Sequence, residues 1–183
     1  MLVDVVLPLL LAALVGLVVI VFLRRANRAL ARTRELERYA TETAGLAERV
    51  DAVLKPLSER VDAVRRNQVP AREIEAELTA TIELLSELFS MAEAVHAPVG
   101  VSGSADLPVQ IDRAVRAAGT VRAGCGLAAE AGGRRDKELE AQTTIKRGYL
   151  NLLHAREGVA DEATRARAAA DVAPRRRWRT SRA

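Results

Sequence analysis

The chain has 183 residues, 49% of them hydrophobic but only 3% aromatic, and a formal net charge of +4. A single cysteine, Cys125, excludes a disulfide-stapled fold and a cysteine zinc site. With the five arginines of the last ten residues set aside, the 28 basic groups become 23 against 24 acidic ones, so the charge excludes a basic domain and describes a basic tail. Alanine, leucine, glutamate and arginine lose little rotamer freedom in a helix, and their abundance predicts an all-α chain without sheet.

The first predicted element is a transmembrane anchor, residues 1–23. Val5 to Leu23 are 19 residues without a charge, and as a helix they cover about 28 Å, close to the thickness of a bilayer's hydrocarbon core. A cleaved signal peptide would place basic residues before the apolar run. Here Asp4 precedes it, and Arg24, Arg25, Arg28, Arg32 and Arg34 follow it. That order predicts a retained single-pass span in the cell membrane, with the N-terminus outside and the rest cytoplasmic. Ala12 and Gly16 form a small-xxx-small pair, a weak signal for pairing of two anchors.

A cytoplasmic helical domain follows over 24–172, read as a helical bundle or coiled-coil hairpin of about four helices. The first, about 24–68, carries an apolar stripe at Leu36, Tyr39, Leu46, Val50, Val53, Leu57, Val61 and Val64, with Thr43 filling its one gap. Leu46–Val53 recurs as Leu57–Val64, eleven residues on. That period, about 3.67 residues per turn, keeps the repeated positions on one face of a nearly straight helix. The stripe continues in register through Pro56, which predicts a kink there rather than a break. The seam can be satisfied within one chain, by a protein partner, or across a homodimer.

A second helix, 71–95, opens at Pro70 and carries Ile74, Leu78, Ile82, Leu85 and Leu88 on its core face. Pro98, Gly100, Gly103 and Pro108 predict a loop over 97–108. A third helix, 109–131, is low in bulk, with Gly119, Gly124 and Gly126 weakening it. Gly132-Gly133 predicts a tight turn into a fourth, 134–171. An up-down-up-down path through these lengths brings the chain back to about 8 Å of helical rise from the membrane.

The tail, 173–183, holds Arg175, Arg176, Arg177, Trp178, Arg179 and Arg182. Clustered guanidinium groups beside a tryptophan suit anionic lipid headgroups. Nucleic acid, through phosphate neutralisation and stacking, is the less favoured ligand. No catalytic, metal or cofactor site is expected. Neither glycine cluster has a P-loop's lysine or strand-loop-helix setting, and His96 and His154 lack metal-ligand spacing. The sequence therefore points to a membrane-anchored interaction or scaffold protein without catalytic activity. A relay between membrane and cytoplasmic partner, and a nucleic-acid tether, are the alternatives.

Overall fold

A computed structural model describes the backbone of residues 2–98, 101 and 106–172, and the side chains of residues 14–98, 101 and 106–172. Among these residues there are four α-helices and no strand. They are α1 (Leu2–Arg65), α2 (Glu75–Ala94), entered through a 3-10 turn at Ala71–Ile74, α3 (Asp106–Glu130) and α4 (Arg135–Val172).

Each helix packs on two neighbours. α4 lies between α3 and α1, and α2 closes the ring between α3 and α1. α1 and α3 come close at few points across the centre, and no Cα of α2 lies within 8 Å of one in α4. This is a four-helix bundle rather than a coiled-coil hairpin. Its apolar centre runs from Leu46 to Val64 on α1, with Leu78 and Leu85 from α2, Ile111 and Val121 from α3, and Ile145 and Leu152 from α4. A satellite cluster of Leu36, Tyr39, Ala40, Ala166 and Ala170 closes one end, with Val95, Ala97 and Val101 against it.

α1 is one helix of 64 residues, about 96 Å long, and less than half of it lies in the bundle. It passes Pro56 without a break. Pro56 and Ala52, whose carbonyl loses its donor, are both exposed, while Leu54 and Leu57 on either side are buried at 1%. Water can take the freed carbonyl, and the buried leucines hold the register. The helix stops at Arg65, short of the expected Gln68, because Asn67 turns left-handed at φ 59°. Its N–H donates to the Val64 carbonyl at 2.9 Å and that of Gln68 to Ala63 at 2.8 Å, a Schellman ending that asparagine tolerates better than most residues.

α3 starts at Asp106, three residues before the expected 109. Pro108 falls in its first turn, where a missing N–H deprives no carbonyl of a partner. Gly132 and Gly133, at φ 55° and 81°, make the turn into α4. Of the glycines expected to weaken α3, Gly124 is a packing residue. A Cβ there would stand 2.9 Å from the Ile145 backbone nitrogen, and one at Gly148 the same distance from that of Val121. The two helices therefore approach closely along Ala114, Ala117, Ala118 and Val121 on one side, and Ala141, Gly148 and Ala155 on the other.

Candidate functional site

The stripe is filled by the chain's own helices. Leu36, Tyr39, Leu46, Val50, Leu57, Val61 and Val64 are all buried, and Val53 is half-buried against the main core. Leu54 and Ala47, absent from the expected stripe, are buried with them. The 11-residue repeat explains the first of these, since Leu54 stands one period after Thr43 and shares its direction. α4 occupies much of this seam. The register is visible where Arg156 Nε donates to Asp51 Oδ1 and where Ala166 and Ala170 meet Leu36, Tyr39 and Ala40.

That register sets where the chain returns. Val172, sixteen residues on from Arg156, comes level with Glu35, sixteen back from Asp51. Glu35 lies twelve residues past Leu23, or about 18 Å of helix, not the expected 8 Å. α3 has 25 residues against 20 in α2, so it carries the start of α4 past the end of α1. The exposed Leu139 marks this overhang.

Beside the satellite cluster, at the end to which α4 returns, lies a polar layer that breaks the apolar seam. Thr43 is 0% exposed and Glu162 1%, and neither Thr43 Oγ1 nor Glu162 Oε2 makes a hydrogen bond of acceptable geometry among the described residues. Arg165 Nη2 approaches Oε2 to 3.0 Å, an ion pair by distance that lacks hydrogen-bond alignment. Arg165 also reaches Asp106, at the start of α3, at 3.3 Å. Burial pushes the Glu162 carboxyl above the ordinary range, with Asp106 adding to the effect and Arg165 opposing it. Burial likewise raises the Tyr39 phenol, against the pull of the neighbouring Thr43 hydroxyl. A signal for Glu162 existed in the sequence: Leu152, Ala155, Val159, Glu162 and Ala166 are spaced by threes and fours, and the acid occupies a core position.

At the opposite end a cleft of about 640 Å³ opens beside the Asn67 turn, over Val64, Val69, Ala141 and Ile145. Its polar members, Arg65, Asn67, Gln68, Glu138 and Gln142, are exposed. Arg65 is engaged by Asp62 and lies 5.5 Å from the Tyr149 ring centre. Cys125 is buried in α3, and burial raises its thiol to about 11, which leaves it protonated and unreactive. His154 is exposed, and the exposed His96 donates Nδ1–H to the Ala94 carbonyl at 2.8 Å. Among the described residues no group of three or more His, Cys, Asp or Glu side chains could hold a metal ion.

Arg175, Arg176, Arg177, Trp178, Arg179 and Arg182 lie outside the described residues, as do the side chains of the first thirteen residues of the expected anchor. Among the described residues no helix is long and apolar enough to cross a membrane. Of the apolar run, only the side chains of Leu14–Leu23 are described. There every large apolar side chain is between 49% and 63% exposed. Exposed Arg24, Arg25, Arg28 and Arg34 follow, with no acid before Glu35.

No family model, curated protein or solved structure matches the chain.

Proposed function

We propose that this is a membrane-anchored interaction or scaffold protein without catalytic activity, held by one span over residues 2–23 with its bundle on the cytoplasmic side. One observation carries the reading: from Leu14 to Leu23 the extension of α1 exposes large apolar side chains all round, outside both clusters of buried residues. A helix apolar on every face needs an apolar surround. The uncharged run from Val5 to Leu23 has the length of a bilayer core, and the arginines after it favour the cytoplasmic leaflet.

After alkaline carbonate washing, the full chain should stay with the membrane pellet. Leu14→Arg combined with Val18→Arg should move it toward the supernatant, since each arginine near the centre of a span costs about 2.5–3.5 kcal/mol on insertion scales. Release of the wild-type chain by carbonate would sink the integral anchor. A cysteine at exposed Leu139 should react with an impermeant maleimide only after the cells are opened; labelling of intact cells would reverse the orientation.

The relay is kept as a second reading because α1 runs unbroken from Leu2 to Arg65. A rigid helix shared by anchor and bundle would pass any tilt of one to the other.

A further inference from the structure

The polar layer divides the bundle into a main core and an end cluster held by weak means. Beyond Glu162, the buried α4 side chains are Ala166 and Ala170, against Leu36, Tyr39 and Ala40. A methyl group buries little area, so this last stretch of α4 is held far more loosely than Leu152 or Val159 in the main core. Its first buried residue is an acid with an oxygen that accepts no hydrogen bond.

We propose that Glu162 makes this end of the bundle a proton-operated latch, closed when its carboxyl is neutral and loosened when the carboxyl ionises. A neutral carboxyl carries no charge that burial must keep from water, and its hydroxyl can donate a hydrogen bond. The ionised form must keep its charge away from water, with only the half-exposed Arg165 to offset it and Asp106 opposed. The cheapest relief is local. Residues 163–172 lift from α1, water reaches the carboxylate, and the main core stays intact.

The direction of the pH effect follows from burial. A carboxyl raised in the folded state contributes stability that is complete below its ordinary range and is lost as the pH climbs through its raised value. The groups around it are Tyr39 on α1, Asp106 on α3 and Arg165 on α4. After α2, His96 lies across Tyr39 in a cleft with Glu35, Arg38 and Glu42.

Amide hydrogen exchange of the full chain in detergent tests the latch, with rates corrected for the intrinsic effect of pH. Protection of residues 163–172 should fall several-fold between pH 4 and pH 8, while that of 145–159 holds. Glu162→Gln should keep the low-pH protection throughout, and Glu162→Leu, which removes the charge with a different shape, should do the same. His96→Gln should follow the wild type. The proposal is overturned by wild-type protection that does not depend on pH, by opening toward acid, by a Glu162→Gln chain that retains the pH course, or by a His96→Gln chain that loses it.

Discussion

Glycine has opposite meanings at different points of this bundle, and the difference is decided by whether another helix stands where its Cβ would go. At Gly148 a Cβ would stand 2.5 Å from Val121 Cγ2, 2.9 Å from its backbone nitrogen and 3.0 Å from the Ala117 carbonyl oxygen. Side-chain rotation could relieve the first clash, but backbone atoms cannot rotate away. Gly148→Ala should therefore push α3 and α4 apart and cost about 1–3 kcal/mol. At Gly119 nothing stands within 4 Å of the same position. Gly119→Ala should stabilise the chain by up to about 1 kcal/mol, through restriction of the unfolded backbone. Urea unfolding followed by circular dichroism should move the two midpoints in opposite directions. Equal shifts would refute the close approach. The sequence marked Gly119 only as a weak point in its helix and gave Gly148 no role, because a glycine's neighbours across an interface lie far away along the chain.

At the level of the element, α1 shows packing overriding local preference. A proline inside a helix costs about 3 kcal/mol, yet the helix runs on because Leu54, Leu57 and Val61 are buried on a single continuous face. Pro56→Ala should return a donor to the Ala52 carbonyl and raise stability by up to about 3 kcal/mol, measured by thermal unfolding. It also separates the two functional readings. A scaffold keeps its partners with a more regular helix, whereas a relay that depends on a bend at Pro56 changes its response. A destabilised Pro56→Ala chain would show that the helix is built around the proline. The Asp51–Arg156 pair, each partner between a third and a half exposed, ties α1 to α4 and marks their register. Exposed ion pairs contribute about 0–1 kcal/mol, so the register itself rests on the buried valines and leucines.

For the molecule as a whole, the register decides what the tail can reach. α4 ends level with Glu35, about 18 Å of helix beyond the end of the apolar run, and six residues of chain span at most about 20 Å. Trp178, six residues past Val172, can just touch a bilayer in which Leu23 marks the inner boundary. It is the only tryptophan, so its emission reports the tail alone. In vesicles containing anionic lipid the emission of the reconstituted full chain should shift to the blue. The shift should shrink in neutral vesicles, in high salt, or when Arg175, Arg176 and Arg177 are replaced by glutamine. An unshifted spectrum in anionic vesicles would leave the tail without a lipid role.

The all-helical class, the apolar face of α1 and the turn at Gly132-Gly133 could be read from the sequence because each depends on residues near one another in the chain. A period of eleven or of three and four needs no knowledge of the partner, and two adjacent glycines suit a tight turn wherever it lies. Tertiary structure alone decided which helix fills the stripe, how far back the chain returns, that Gly124 and Gly148 are contacts, and which groups surround Glu162. Those outcomes depend on how far α3 overshoots α2 and how closely it approaches α4. The first is set by the lengths of the two helices and the second by small side chains meeting across an interface, and an acid at a core position becomes a strained group only when another helix covers it.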